Sequence, residues 1–444
     1  MRSPITFMAA IALCAAAGCT TTPATGGGKW SGVVHPSVLA KAGLQYYWDC
    51  TIPLSAGEWV VRLSRLDENV YCITNLNRVI VVDAVSGGLK WAATLAAPRD
   101  TVFGPIHADG VTLTEAMSGV GEILTPSRLT NAMTFDAVMF NTMNYVAVYN
   151  RATGQAMRRP GMIDFSAQGP RKFIANTRGA TDGVLFYVGS PTGEYEAIRL
   201  QEGVLVWTMS TTSRLEPITA PLVCFAGRVY ATNEGGGIFC ATSLGVKGRQ
   251  EWSQKLDGPI RGGIYVDQRG CFVPCVDHRI YAFDAMTGAR LWEPFICQGQ
   301  LSQAIQVGES SIFQAADQDK LYVLDVATGR LRWTSKTGQL VLAIAGGNVY
   351  LKDGTGNLQV LDEMMGPNKP SVAVALTGHE LFTGNTTAPA IYTAKSDGRV
   401  FCITPADLGK LTVDMLQEPG KLRPKRAAAP TTTSAPAAPK ALAP

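Results

Sequence analysis

One motif, written three times at full strength, limits what this chain of 444 residues can become. Segments 79–91 (VIVVDAVSGGLKW), 280–292 (IYAFDAMTGARLW) and 321–333 (LYVLDVATGRLRW) each run an alternating apolar stretch into Asp-x-x-Ser/Thr-Gly, with a Trp four residues beyond the Gly. Weaker copies stand at 145–157, 195–207, 238–252, 358–366 and 400–409, so the unit occurs eight times, and the strong copies imply a spacing of about 40 residues. A repeat of that period is a small unit that can bury its apolar faces only against its neighbours.

Each residue type in the motif has a physical task. The Asp or Asn side chain can accept hydrogen bonds from backbone two residues on, and Gly accepts the positive φ that closes a tight hairpin. Asp83 with Gly87, Asn150 with Gly154, Asp284 with Gly288 and Asp325 with Gly329 therefore read as turns. An aromatic precedes the Asp position by twelve residues in nearly every copy: Tyr71, Tyr187, Tyr230, Phe272, Phe313, Tyr350 and Tyr392. That constant spacing predicts two paired strands before the turn. The Trp after the turn (Trp91, Trp207, Trp252, Trp292, Trp333) then opens an outer strand and docks its ring on the next unit. Four short strands per repeat make a propeller blade. High Gly (46 residues) and only 17% charged residues suit the same all-β reading.

The two ends of the repeat array complete each other. After Gly409 no Trp and no outer strand follow, while an orphan segment, 46–54 (YYWDCTIPL), precedes the first full unit. We therefore expect an eight-bladed propeller, with seven blades the alternative. In it the amino-terminal strand carries Trp48 as the eighth docking Trp and closes a last blade drawn from about 386–404. Closure of this kind removes the open sheet edges that invite aggregation.

Outside the repeats, Ile5 to Ala17 is an apolar run behind Arg2, and Ala16-Ala17-Gly18-Cys19 resembles the bacterial lipobox. The expectation is a lipoprotein signal peptide over 1–18, acylation at Cys19 and a tether over 19–45; the alternative is an ordinary secretory signal cleaved near Ala17. Residues 410–444 are rich in Pro, Ala and Lys/Arg and read as a disordered basic tail. That tail carries the positive balance. The body between the signal and the tail is close to neutral, at about −1, which argues against a nucleic-acid partner. An insertion is expected at about 114–140, where the next strand is read as starting near Tyr145. It holds an apolar set, Met117, Met133, Phe135, Met139 and Phe140, with Met143 nearby, and is read as lying on the face opposite the Asp-x-x-Thr-Gly turns.

With the motif in place, a resemblance can be stated. The Asp-x-x-Thr-Gly-x-x-x-Trp unit resembles the tryptophan-docking repeat of quinoprotein-type propellers, the PQQ-binding-like fold, over about 46–409. An exported chain with eight such blades is similar to the BamB-like lipoproteins of outer-membrane β-barrel assembly. That resemblance implies a binding scaffold without catalysis or cofactor, lipid-anchored at the outer membrane and facing the periplasm. It would act as a monomer within a complex of envelope proteins. The rival is a PQQ-dependent oxidoreductase with an atypical or lost cofactor site. The quinoprotein enzymes resemble one another in a vicinal Cys pair, a Ca²⁺ held by carboxylates and, in some, Cys-x-x-Cys-His. This sequence has no adjacent cysteines, and Cys271 and Cys275 are one residue too far apart, with no His following.

On an extended strand those two thiols would sit about 13 Å apart, so they read as core cysteines. Cys240 and Cys402 fall at a strand position held by Val81, Ala282 and Val323 in other copies. His35, His107, His278 and His379 are scattered and read as turn or surface residues, and Asp317 and Asp319 as a solvated turn. Catalytic, cofactor and metal residues are expected to be none.

Overall fold

The computed structural model describes residues 33–114, 132–157, 162–165, 173–211, 216–242 and 247–417. They form eight antiparallel four-stranded sheets. Blade one is Val60–Leu66, Asn69–Thr74, Arg78–Asp83 and Leu89–Thr94; blade two is Phe103–Thr114, Ala132–Asn141, Tyr145–Asn150 and Met162–Asp164. Blades three to seven follow in chain order at 180–210, 223–255, 265–296, 306–335 and 338–375. Blade eight takes Leu381–Phe382, Ile391–Ala394 and Arg399–Pro405 from the far end and Leu44–Thr51 from the near end. The closing strand runs antiparallel from Leu44 opposite Pro405 to Thr51 opposite Arg399. The ring is therefore shut by main-chain hydrogen bonds, and its blade count is eight.

The core lies between blades. Each of eight apolar clusters takes side chains from two adjacent sheets. In blade one Tyr71 and Ile73 point toward blade two, while Val70 and Cys72 point toward blade eight. This two-residue alternation with both faces covered explains why the middle strand Asn69–Thr74 is buried at every position.

Across the sheets the repeat forms one row: Tyr71–Val81–Trp91, Tyr187–Ala197–Trp207, Tyr230–Cys240–Trp252, Phe313–Val323–Trp333 and Tyr392–Cys402–Trp48. Val in the middle gives way to Ala or Cys because the position is filler between two rings.

The Trp then meets the next blade's turn. A Cβ on Gly87 would fall 2.8 Å from the Trp48 ring, one on Gly154 2.4 Å from Trp91, and one on Gly288 2.6 Å from Trp252. These glycines have φ of +74°, +70° and +72°, so closeness and backbone both demand Gly. Four indole N–H groups donate to the carbonyl just after the turn Asp or Asn: Trp48 to Ala84, Trp91 to Arg151, Trp252 to Ala285 and Trp333 to Glu363. Trp292 precedes a fourth strand of only two residues, Phe295–Ile296, and stacks on Gly329 instead of lying in the strand.

Both chain ends pack further out than their composition suggests. From Val33 the chain is docked: a short helix, Pro36–Ala40, buries Leu39 between blades seven and eight, so the stretch read as tether up to 45 includes part of the core. Beyond Gly409, Leu411 and Leu416 are fully buried, and Arg65 Nη1 donates to the Leu416 carbonyl at 2.6 Å. Residues 410–417, read as the start of the tail, belong to the ring. The signal, Cys19 and the rest of the tail lie outside the described residues.

Candidate interaction face

In blades one to seven the first-to-second strand loop and the third-to-fourth strand turn share one end. The residue after the turn Asp donates its N–H to that loop, Ala84 to Glu68, Val326 to Ser310 and Glu363 to Gly347, while Arg151 of blade two donates to Asp136 within the second strand. Blade two breaks the pattern on this face. Its first two strands pair from Phe103 with Asn141 to Thr114 with Ala132, running several residues past Ala108 and Ala137, where blade one's hairpin would already have turned. The hairpin stands out from the ring on the turn face.

That finding corrects two expectations about the insertion. Residues 132–141 are the second strand of blade two, and Tyr145 starts the third. The loop also leaves from the Asp-x-x-Thr-Gly face, because the extra chain lies after the first strand and not after the second. Met139 and Phe140 are core residues, at 0% and 1% exposure, and Met143 is exposed at the opposite end. Phe135 is partly buried against the core shared with blade three. Met117 lies outside the described residues, as does the side chain of Met133. The exposed methionines of the turn face are others: Met286, Met364 and Met365, which occupy the variable places of their turns.

The hairpin's base is braced by a buried cation. The Arg151 side chain is 7% exposed and meets Glu68 at 3.0 Å, Asp109 at 2.7 Å, Asp136 at 3.3 Å and Asp67 at 3.9 Å. Burial works against the guanidinium's charge, but Glu68, Asp109 and Asp136 outweigh it and lift Arg151 above its ordinary value. Beside it His107 bridges Asp67 (Nδ1 to Oδ2, 2.8 Å) and the Tyr71 hydroxyl (Nε2, 2.7 Å), which also accepts from Asn69. Burial pushes the Tyr71 hydroxyl well above the ordinary phenol range, so it stays protonated. The Asp–His–Tyr line resembles a proton relay in composition only. It is packed between blades one and two, and it works as a brace.

Two histidines read as turn or surface residues are buried polar links. His107 is one. His379 is the other, held between Thr393 Oγ1 at 2.7 Å and the Tyr46 hydroxyl at 3.1 Å; burial first, then Arg399 and Lys395, lower it to about 4. A lone His carries no spacing signal, so only the fold could reveal these contacts. His278 does sit in a turn, and His35 caps the short helix.

Cys271 and Cys275 are buried on one straight strand that pairs in register through Pro274, and all eight cysteines of the described residues are free thiols. Burial pushes Cys275 up to about 12, which removes thiolate reactivity. Asp317 accepts from Ser302 and Asp319 from Tyr322. Among the described residues no group of three or more His, Cys, Asp or Glu converges on a metal site. The wall around the ring axis carries arginines and, among its described residues, no carboxylate, a donor set that does not fit the Ca²⁺ of the quinoprotein enzymes.

A closed ring whose repeated residues serve turns and blade docking defines a protein of the PQQ-like propeller class. The family described as outer membrane protein assembly factor BamB is matched by residues 64–292 and again by 276–412, and the chain belongs to that family. A curated relative, outer membrane protein assembly factor BamB of Alkalilimnicola ehrlichii, is 28% identical over 130 residues, covering 27% of this chain and 33% of that protein. The match thus spans about a third of the relative's length. Among solved structures, BamB from Moraxella catarrhalis matches with a TM-score of 0.54 and 13% identity, over 81% of this chain and 97% of that one. The computationally designed Ika8 protein matches with a TM-score of 0.54 and 14% identity, over 78% and 96%. At these identities the two structures speak for the fold.

Proposed function

We infer that the protein is a non-catalytic envelope scaffold that docks other envelope proteins during outer-membrane protein assembly. It is anchored through acylated Cys19 to the outer membrane and faces the periplasm. The observation that carries this reading is family membership over nearly the whole ring. The geometry supports it: the repeated polar residues are engaged in turns and the Trp rings in blade contacts, so the fold provides a rigid platform with its elaboration on one face. That face, with the blade-two hairpin and the exposed Met286, Met364 and Met365, is where partners dock. The basic residues of the sequence beyond 417 would add attraction to anionic surfaces.

The test is chemical crosslinking of the full-length, lipidated protein in its native envelope, followed by identification of what co-purifies. Recovery of β-barrel assembly subunits, kept when the tail is deleted and lost when the propeller is, is the expected result. Recovery of cell-wall material alone overturns the assignment. Titration with PQQ and Ca²⁺ tests the rival, because a ligand that binds only the folded state must raise the melting temperature.

A further inference from the structure

One contact between blades ends on sulfur where its counterparts end on oxygen. At the junction of blades six and seven, Ser310 and Ser311, where blade six's second strand begins, donate to Glu363 Oε1 in the next blade's turn at 3.2 and 2.8 Å. At the junction of blades one and two the corresponding places hold Glu68 and Arg151, 3.0 Å apart. Between blades four and five they hold Arg228, which opens the strand Arg228–Thr232, and, one residue further along its turn, Met286. Here Arg228 Nη1 donates to Met286 Sδ at 3.4 Å.

A thioether is a weak acceptor, whereas a guanidinium carries five N–H donors. Arg228 is half-buried, its Nε is buried with no acceptor, and among the described residues no carboxylate pairs with it. Glu251 of the same blade is taken by Arg249 at 2.8 Å. The cation is therefore short of acceptors on the side where Met286 meets it. Met286 is 43% exposed on the turn face and open to small solutes, and its N–H is fixed on Asp284 Oδ1 at 3.0 Å. The exposed Met364 and Met365 occupy the corresponding turn of blade seven. Their N–H groups bond Asp362 in the same way, but among the described residues no donor meets their sulfurs.

We propose that Met286 is an oxidative modification site, taking oxygen from a hydroperoxide, and that Arg228 receives the sulfoxide formed there. The sulfur lone pair attacks one peroxide oxygen, and the S–O bond forms as the O–O bond breaks. Sulfur loses two electrons; the leaving oxygen collects the proton of the transferred one and departs as water, or as an alcohol from an organic peroxide. A methionine sulfoxide reductase drawing two electrons from a dithiol reverses the step and releases water. The product replaces a weak acceptor by a polar S–O oxygen beside a charged donor, which makes a charge-assisted hydrogen bond. Oxidation thus draws the blade-five turn onto blade four and turns an apolar side chain of the turn face polar. The site stands whether or not that face docks partners.

Mild treatment of the full-length chain with hydrogen peroxide tests this, with sulfoxides mapped by mass spectrometry and thermal unfolding followed before and after. Met286 should be converted along with Met364 and Met365, while the buried Met139 is spared. Because peroxide reaches several methionines, the reference is Met286→Leu treated identically. On oxidation the wild type should gain about 1–2 °C in melting temperature over that variant, relative to the untreated pair. The gain should vanish when both carry Arg228→Gln. Met286→Gln, whose amide oxygen stands in for the sulfoxide without peroxide, should melt above Met286→Leu by a similar margin, which decides the matter if Arg228→Gln does not fold. An unconverted Met286, no gain on oxidation, a gain kept with Arg228→Gln, or Met286→Gln no more stable than Met286→Leu overturns the proposal.

Discussion

The junction between blades four and five and the junction between blades two and three solve one packing problem with different parts. At the first, Trp252 stacks on Gly288 and donates to Ala285, a contact between motif residues of two successive repeats. At the second there is no Trp. Phe165 and Phe173, with ring centroids 6.0 Å apart, fill the space with Phe186, and Asn141 ties the sheets by accepting from Gly179 N–H and donating to the Thr177 carbonyl. The junction between blades seven and eight is the other exception. There Val372 takes the Trp's place beside Val360, and Leu39 and Val34 of the amino-terminal segment supply the apolar bulk. Both Trp-less junctions therefore occur where additional chain enters. The ring keeps the motif where it is uniform and gives it up where it is elaborated.

The largest expected effect comes from reopening the ring. Deleting Leu44–Thr51 removes the fourth strand of blade eight together with Trp48, and the chain should lose its single cooperative calorimetric transition. Next, Trp252→Ala and Phe165→Ala should each cost about 3–5 kcal/mol in urea unfolding. Equal losses would show that the two solutions are equivalent, whereas a loss below about 1 kcal/mol for Phe165→Ala would mean that blades two and three are held mainly by the Asn141 bonds.

A smaller effect separates contact from backbone strain. Gly288 and Gly409 have nearly the same φ, +72° and +70°, but a Cβ at Gly288 meets Trp252 at 2.6 Å while one at Gly409 meets nothing within 4 Å. Gly409→Ala should cost about 1 kcal/mol from strain alone and Gly288→Ala about 1–3 kcal/mol more. If the two match, the Trp–Gly contact is not what demands glycine.

The smallest effect is in pH. Burial lifts the Glu196 carboxyl in blade three to about 7. Its folded-state value is raised, so its contribution is complete below the ordinary carboxylate value of 4.5 and is lost as pH rises through about 7. Glu196→Gln should therefore be more stable than wild type by about 1 kcal/mol at pH 8 and equal to it near pH 4. His379 in the closing blade has the opposite sign. Its value is lowered, so its contribution is present above 6.5 and lost as pH falls through about 4.

The blade count, the ring closure and the position of the closing strand were legible because turn chemistry and two-residue alternation are local. Asp83 and Gly87 announce a hairpin whatever surrounds them. The hairpin of blade two was not legible, because its strands lack the repeat's aromatic and its paired lengths depend on register; Met139 and Phe140 looked like loop residues until pairing buried them. The Arg151 brace joins residues 67 to 151, and Arg65 donates to Asn385, Thr387 and Leu416 from the far end of the chain. Such sites are assembled by closure, and no spacing in the chain announces them.

The central claim is that the ring is a scaffold presenting its elaborated turn face to envelope partners. A photo-crosslinking residue placed singly at Met286 or Met364 on that face, and at Trp59 or Leu76 on the other, in the lipidated protein in its native envelope, tests it most directly. Discrete adducts with β-barrel assembly subunits are expected from the turn face, and none from Trp59 or Leu76. Adducts from the opposite face alone, or from neither, would contradict it.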